Sequence, residues 1–163
     1  MPEKDLRALF LDTLKDIYYA EKHIYKSLPK MAGAAGSDDL REAFEHHHDE
    51  TERHIERLEQ IFELLGKPAR MKKCDAIEGI LDEGKDVMQE YKDAPALDAG
   101  LLAAAQAVEH YEISRYGTLK AWATKLGLND AVKLLDQTLS EEKKTDDTLT
   151  RIADKAVNYE AAA

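Results

Sequence analysis

Apolar residues recur along most of this chain at alternating steps of three and four, the spacing of one face of an α-helix. Alanine, leucine, glutamate and lysine, all strong helix formers, dominate these stretches. No stretch alternates apolar and polar residues in the way that predicts a β-strand. Glycine and proline fall mainly between the stretches. The pattern therefore predicts four long helices, over about 4–33, 38–65, 96–126 and 130–157.

The connection between the second and third helices, about 66–95, is long and has its own amphipathic pattern, which predicts a short fifth helix. The other two connections are short and predict antiparallel helix pairs. Two such pairs joined by one long crossover form the ferritin-like variant of the four-helix bundle. We predict this all-α fold as a single domain over 1–163, with the short fifth helix in the crossover and a frayed tail at about 158–163.

Each long helix carries an apolar stripe that polar residues interrupt near its middle. Helices of similar length place their midpoints at one level of a bundle, so the interruptions should converge on one polar layer inside the core. They are Glu21 in the first helix, His47, Thr51 and His54 in the second, Glu109 and Glu112 in the third, and Glu142 and Asp146 in the fourth.

The second helix contains the histidine-rich stretch EHHHDETERH, at 45–54. Consecutive residues of a helix point about 100° apart, so its three adjacent histidines cannot all face inward. His47 and His54 lie on the apolar stripe, and Glu50 lies on the same face between them. His46 points away from the bundle, and His48 flanks the stripe, within reach of a neighbouring helix or a partner chain.

Several ionised carboxylates at one level of a dry core would repel one another, since no Lys or Arg occupies the central layers. Two bound cations remove this repulsion, and six carboxylates with one histidine match the ligands of a carboxylate-bridged di-iron or di-manganese site. Because two trivalent ions bring six positive charges, such a site should favour the higher oxidation state. The predicted ligands of two iron or manganese ions are Glu21, Glu50, His54, Glu109, Glu112, Glu142 and Asp146.

The sequence leaves open the roles of several residues beside these ligands. His47 fits a ligand, but it also fits a buried histidine that supports a ligand or merely packs. Glu141 competes with Glu142 if the last helix is rotated about its axis. Tyr25 and Tyr116 each lie one turn from a candidate ligand, where they could hydrogen-bond the carboxylates or donate electrons. Ordinary half-buried tyrosines are an equally good interpretation of both.

The composition narrows the class of partner. The chain has 33 Asp and Glu against 23 Lys and Arg, a net charge of −10, which disfavours nucleic acid. No apolar run is long enough to predict a membrane span, and the first residues do not resemble a signal peptide. Cys74 is the single cysteine and suits a reducing compartment. A cytoplasmic protein is therefore expected.

Five stretches carry a family resemblance: TLKDIYYAEKHIYKSLPKM, AFEHHHDETERHIERLEQIF, KKCDAIEGILDEG, AAAQAVEHYEISRYGTLKAWA and LLDQTLSEEKKTDDTLT. Together they resemble the YciF-like group of bacterial stress proteins within the ferritin-like superfamily. The resemblance implies a ferritin-like bundle, a homodimer, a di-metal centre and a role in stress.

Rubrerythrins and bacterioferritins, in the same superfamily, use Glu on one helix and Glu-x-x-His on the next. Glu21 fits the first position, and Glu109-x-x-Glu112 resembles the paired glutamates of rubrerythrins. The second helix departs from the motif, because Thr51 stands where its glutamate would be. The last helix, with Glu142 and Asp146, has no histidine at all.

Three functions follow from these observations. The first is a stress-associated di-metal protein that reacts with oxygen or hydrogen peroxide. The second is a non-enzymatic, dimeric interaction or structural protein with an empty or weakly occupied metal site. The third is iron oxidation and storage, which needs a hollow shell of many subunits; the chain shows no obvious C-terminal packing helix for one.

Overall fold

The computed structural model describes residues 4–163, and nearly all of them are helical. The elements are α1 (Leu6–Ala34), α2 (Asp38–Leu64), α3 (Asp75–Glu90), α4 (Leu97–Lys125), α5 (Asn129–Ile152), a π-helical turn (Ala153–Val157) and α6 (Asn158–Ala162). The helix bounds lie within a few residues of those that the sequence predicts. In the stretch expected to be a frayed tail, Asn158–Ala162 form the short helix α6, and none of these five residues is buried.

The helix ends follow from local chemistry. Asp5 caps α1 by accepting a hydrogen bond from the Ala8 amide at 2.8 Å. Ser37 caps α2, since its hydroxyl accepts a hydrogen bond from the Leu40 amide in the first turn. After α2 and α4 the chain turns through Gly66 and Gly127, whose φ angles of 65° and 70° suit a residue without a side chain.

The helices pack as two pairs, α1 with α2 and α4 with α5. Contacts of α2 with α5 and of α1 with α4 join the pairs into one bundle. The crossover carries α3, which packs on α4 and touches α1. This arrangement confirms the predicted four-helix bundle with one long crossover and a short fifth helix. No helix within residues 4–163 has a stretch long and apolar enough to cross a membrane.

Close contacts fix the crossover against α4. Gly100 allows α3 to approach, because a Cβ at this position would lie 2.6 Å from a Val87 methyl. Nearby, the Asp98 carboxylate accepts hydrogen bonds from the Gly36 and Ser37 amides at 2.8 and 2.7 Å. The N-terminal end of α4 is thereby attached both to the α1–α2 connection and to α3, and α3 is held over the groove between α1 and α4.

The core changes character along the bundle. Its two ends are filled by apolar side chains such as Phe10, Leu14, Phe44 and Leu119. The middle is filled by polar side chains that are equally buried: Glu21, His47, Glu50, Thr51, His54, Glu109, Glu112, Thr138 and Glu142. Buried charged groups are rare unless they are paired or bind a metal, so this layer is the first candidate for a functional site.

Candidate metal centre

Six side chains of the polar layer bring metal-ligand atoms close together. One group contains His47, Glu109, Glu112 and Glu142, and a second contains Glu21, His54 and Glu142. Within each group, one ligand atom from every residue lies within 4.8 Å of the others. We call these six residues the Glu–His cluster. Glu142 belongs to both groups, so the cluster offers two adjacent metal positions with one carboxylate between them.

All four long helices contribute to the cluster. His47 and His54 lie seven residues apart on α2, which is about two turns, so both face the bundle axis from different levels. Glu109 and Glu112 lie three residues apart on α4 and also share a face. Glu21 comes from α1 and Glu142 from α5. Most of the polar residues that interrupt the apolar stripes therefore meet near the middle of the helices.

Glu142 lies between the two histidines. Its Oε1 atom is 2.8 Å from Nδ1 of His54, and its Oε2 atom is 3.6 Å from Nε2 of His47. The same histidine atoms approach one further glutamate each: His47 Nε2 lies 3.0 Å from Glu109 Oε1, and His54 Nδ1 lies 3.7 Å from Glu21 Oε1. Each oxygen of Glu142 thus faces a different position, as a bridging carboxylate requires.

The cluster atoms are close to one another, yet many lack hydrogen bonds. Within residues 4–163, the buried side-chain nitrogen and oxygen atoms without a hydrogen-bond partner are Glu21 Oε2, His47 Nε2, His54 Nδ1, and both carboxylate oxygens of Glu109, Glu112 and Glu142. Every one belongs to the cluster. Leaving a buried polar atom unpaired costs about 1–3 kcal/mol, so this concentration indicates a place for a ligand that the side chains do not supply themselves.

In the protein without metal, the carboxyl groups of α4 hold protons. Burial raises the pKa of Glu109 and Glu112 well above the ordinary value of a glutamate, and the neighbouring charge of Glu142 raises both further. For Glu142, burial acts in the same direction, but the proton-bearing groups around it outweigh burial and hold its pKa well below the ordinary value. Glu142 is therefore the ionised centre of the metal-free cluster.

The two histidines respond to these carboxylates. Burial alone lowers the pKa of His47, but Glu109 and Glu142 outweigh burial and raise that pKa well above its ordinary value. Burial also lowers the pKa of His54, and Glu141, Glu142 and Glu21 raise it in the same way. In the metal-free protein, protons thus balance the negative charge that metal cations would otherwise balance. Metal binding would have to displace these protons.

The outer nitrogen of His54 has a separate partner. His54 Nε2 lies 2.8 Å from Glu141 Oε2, and Arg57 donates to both oxygens of Glu141 at 2.7 and 2.9 Å. Burial tends to raise the pKa of Glu141, but Arg57 and His54 outweigh it and lower that pKa to about 2. Because Glu141 is ionised, its partner Nε2 carries the hydrogen. In neutral His54 this leaves the lone pair on Nδ1, the atom that faces Glu142.

Replacing Glu141 with glutamine should therefore weaken metal binding at the His54 position without removing a ligand. Loss of such an outer partner typically lowers metal affinity about 10–100-fold. Competition titrations of the anaerobic protein with ferrous or manganous ions would measure the effect, with Glu56→Gln on the exposed face of α2 as the control. Unchanged affinity in the Glu141 variant would show that His54 does not need this partner.

The two tyrosines have different surroundings. Tyr116 is fully buried and donates a hydrogen bond to Glu21 Oε1 at 2.7 Å, and its ring lies edge-on to His54. Burial and the charge of Glu21 raise its pKa well above the ordinary value, so it stays a donor. Tyr25 is half-buried and stacks on His48, with ring centroids 4.1 Å apart. Tyr116 therefore contacts the cluster, whereas Tyr25 contacts a histidine outside it.

The structure does not bring two of the predicted ligands into the cluster. Glu50 lies 3.1 Å from Nε2 of exposed His46 and accepts a hydrogen bond from Thr145 at 3.2 Å. Asp146 lies 3.1 Å from Nε2 of exposed His110. Both carboxylates thus turn toward the edges of the bundle, where polar partners already engage them. The other predicted ligands, Glu21, His54, Glu109, Glu112 and Glu142, meet in the cluster.

Two further side chains contribute to the site. The sequence left the role of one open and did not point to the other. His47 enters the cluster, although its position alone could not separate a ligand from a packed histidine. Arg57 was not predicted, because it lies beside the apolar stripe of α2 and not on it. Its position three residues after His54, on a neighbouring face of α2, was the available signal. Thr51 takes no part, since its hydroxyl donates to the His47 carbonyl at 2.7 Å.

Comparisons with known proteins agree over nearly the whole chain. Residues 5–162 match the family described as a domain of unknown function, DUF892. The chain is 44% identical over 163 residues to protein YciF of Escherichia coli strain K12, which covers 99% of this chain and 98% of YciF. The crystal structure of the E. coli stress protein YciF matches with a TM-score of 0.90 at 42% identity, over 96% of this chain and 99% of that one.

A second solved structure gives the same result. YcfI of Rhodopseudomonas palustris, proposed to be a structural protein, matches with a TM-score of 0.87 at 46% identity. The match covers 90% of this chain and 93% of that one. The likeness therefore includes all four helices that build the Glu–His cluster.

Proposed function

The chain belongs to the DUF892 family, and we propose that it is a YciF-like stress protein whose Glu–His cluster binds two metal ions, iron or manganese, and reacts with dioxygen or hydrogen peroxide. The observation that carries the proposal is the shared residue Glu142. Its two oxygens face two different groups of donor atoms: His47 with Glu109 and Glu112, and His54 with Glu21. Four-helix bundles build carboxylate-bridged di-metal sites from this donor chemistry.

The charge of the cluster supports the same proposal. Four ionised glutamates carry a charge of −4, and two divalent ions would balance it with the histidines neutral. The sequence expectation counted six carboxylates and therefore favoured trivalent ions. Since Glu50 and Asp146 turn outward, the four carboxylates that meet match two divalent ions instead. We therefore propose a centre that is stable in its reduced form and ready to react with an oxidant.

The surroundings of the cluster suit redox chemistry. When bound, iron or manganese would supply the electrons that the reduction of dioxygen or peroxide needs. The chain itself excludes water, because the residues of the cluster are 0–3% exposed. Tyr116 holds Glu21 by a hydrogen bond, and Glu141 fixes the orientation of His54. Such outer hydrogen bonds keep ligands in place when the charge of a site changes.

The direct test is elemental analysis of protein purified without chelators or affinity metals. The expected result is two iron or manganese ions per chain, with strong loss in Glu112→Ala and none in the exposed control Glu56→Ala. Consumption of dioxygen or hydrogen peroxide should then follow metal content across the three proteins. If no metal is found and anaerobic ferrous or manganous ions do not bind, the proposal is wrong.

One observation favours the non-enzymatic alternative. The raised pKa values of Glu109 and Glu112 mean that protons alone can neutralise much of the cluster. A proton-filled cluster could serve a dimeric structural protein, with no metal or with a weakly held one. The same metal analysis separates the two functions.

The partners and location remain proposals that come from the sequence. We propose a cytoplasmic homodimer without a nucleic acid or membrane partner. Its size in solution would separate this assembly from iron storage, since storage needs a large hollow shell. A dimer in light scattering would support the first function over storage.

A further inference from the structure

Two small cavities lie between the crossover helix and the cluster. The outer cavity, of about 20 Å³, lies among α1, α3 and α4, with Lys30, Gly84, Lys85 and Met88 in its lining. Lys30 and Lys85 are exposed, so this cavity lies near the surface. The inner cavity, of about 10 Å³, is lined by His47 of the cluster. One cavity thus lies near solvent and the other beside a candidate ligand.

The two cavities are neighbours with a common wall. Ser27, Met31, Leu81 and Val108 line both of them. Met31 has a flexible side chain, and Leu81 is half-buried on the crossover helix. A change of rotamer in a partly exposed side chain such as Leu81 occurs within nanoseconds, so this wall can open without movement of a helix. Passage from Lys85 to His47 therefore needs only local motion.

The size and lining of the two cavities limit which molecules could pass through them to His47. At about 10 and 20 Å³ the cavities are close to the smallest that hold one water, so a diatomic molecule passes only when the wall moves, and larger substrates are excluded. The walls are methyl, methylene and thioether groups, apart from His47, the Ser27 hydroxyl and the lysines at the mouth. Hydrogen peroxide would lose hydrogen bonds to water on entering such a space, whereas dioxygen would lose none.

The surroundings of the cluster at His54 are polar. There Glu141 is 25% exposed at its side chain and connects His54 with Arg57. Glu141 and Arg57 offer polar contacts to protons and cations there, whereas an apolar molecule gains nothing from them. The cluster therefore has one apolar approach, at His47, and one polar approach, at His54.

We infer that the two cavities form a route by which dioxygen reaches the His47 position of the cluster, with Leu81 of the crossover helix in the wall that both cavities share. The inference rests on the proposed function, because it names dioxygen as the oxidant that the centre takes up. It also gives α3 a role: this helix closes the groove between α1 and α4 and leaves a passage for a small apolar molecule.

The first readout uses metal-free protein with labelled methyl groups. Dissolved dioxygen is paramagnetic and should enhance relaxation severalfold more at the methyls of Met31, Leu81 and Val108 than at those of fully buried Leu14 and Leu58. In Leu81→Trp the enhancement should be lost at Met31 and Val108. The matched control is Leu134→Trp, a half-buried leucine of α5 outside both cavities. Equal enhancement at all five methyl-bearing residues would overturn the inference.

The second readout uses protein loaded anaerobically with ferrous ions. Leu81→Trp should slow oxidation by dioxygen about tenfold and leave oxidation by ferricyanide, an anion too large for the route, unchanged. If Leu81→Trp does not fold, Gly84→Ala narrows the outer cavity with its new Cβ 3.6 Å from the Ala104 Cβ, an ordinary contact. Unchanged oxidation by dioxygen in a folded variant would overturn the route.

The two readouts fail independently. If no metal binds, the proposed function is wrong, and relaxation in the metal-free protein still decides whether dioxygen reaches His47. If metal binds and reacts but the methyls of the route show no enhancement, the proposed function stands and the route is wrong. Oxidation by hydrogen peroxide that Leu81→Trp does not affect would support entry of peroxide on the polar side and a route reserved for dioxygen.

Discussion

On the proposed function, replacing Glu142 with glutamine is expected to abolish the binding of both metal ions. Glu142 is the residue common to the two donor groups, and its two oxygens face His54 and His47 separately. An amide carries no charge and offers one oxygen, so it cannot bridge two cations as a carboxylate does. The loss of affinity should exceed the 10–100-fold that the loss of an outer hydrogen-bond partner typically causes.

The histidine variants sharpen this expectation. His47→Ala should lose the ion held with Glu109 and Glu112, and His54→Ala should lose the ion held with Glu21. Each variant should keep about one ion per chain, whereas Glu142→Gln should keep none. Elemental analysis and anaerobic titration would measure all three beside the exposed control Glu56→Gln. A Glu142 variant that still binds one ion would show that the positions are independent and that Glu142 is no bridge.

The same substitution should leave the fold intact, since glutamine has the shape of glutamate. Alanine would be a poorer choice, because it also leaves a cavity between the histidines. Either change removes one partner of a buried charged pair, which typically costs about 3–5 kcal/mol. Circular dichroism of Glu142→Gln would check that loss of metal is not loss of structure.

Much of the bundle could be predicted because helical periodicity depends on neighbours in the chain. Apolar stripes gave the four long helices, and polar interruptions of those stripes gave Glu21, Glu109, Glu112 and Glu142. A stripe faces the core along its whole length, so a polar residue on it is buried wherever the helix begins. The C-terminus was the least certain end, because Val157, the last residue of the predicted fourth helix, is buried and the chain after it is helical as far as Ala162.

The details of the site depend on helix rotation, which the sequence does not contain. At 100° per residue around α2, His54 lies about 20° from His47, whereas Glu50 lies about 60° from His47. That difference turns Glu50 toward Thr145 of α5 and leaves both histidines facing the axis. Asp146 lies about 40° and one turn from Glu142, which brings it to His110 instead. Pattern alone could not resolve rotations of this size.

Metal-free and metal-loaded protein should respond to pH in opposite directions. Burial and neighbouring charge raise the pKa of Glu109 and Glu112, so the stability that their protons contribute is full below about 4.5 and is lost as pH rises. The raised pKa values of His47 and His54 add a further loss above about 6.5. The free energy of unfolding of the metal-free protein should therefore fall from pH 5 to pH 8, by about 1.4 kcal/mol per pH unit for each proton released.

Below pH 5 the free energy of unfolding of the metal-free protein should change with pH in the opposite direction. Glu142 is held ionised by its neighbours, and the pKa of Glu141 is about 2, so the stability from these two groups is present above about 4.5 and is lost as pH falls. The metal-free protein should thus be most stable in mildly acidic solution. A bound metal changes the trend, because it needs its ligands deprotonated and competes with the same protons. Its stabilisation should grow as pH rises from 5 to 8.

Urea unfolding at several pH values between 5 and 8, with and without bound metal, would measure both trends. The two curves should converge in acid and separate progressively toward neutral pH. Glu112→Gln should flatten the metal-free curve, since a glutamine at this position has no proton to release and needs none to stay neutral. Parallel curves for the two forms would mean that the metal binds away from the Glu–His cluster, because only ligands that give up protons on binding make the separation depend on pH.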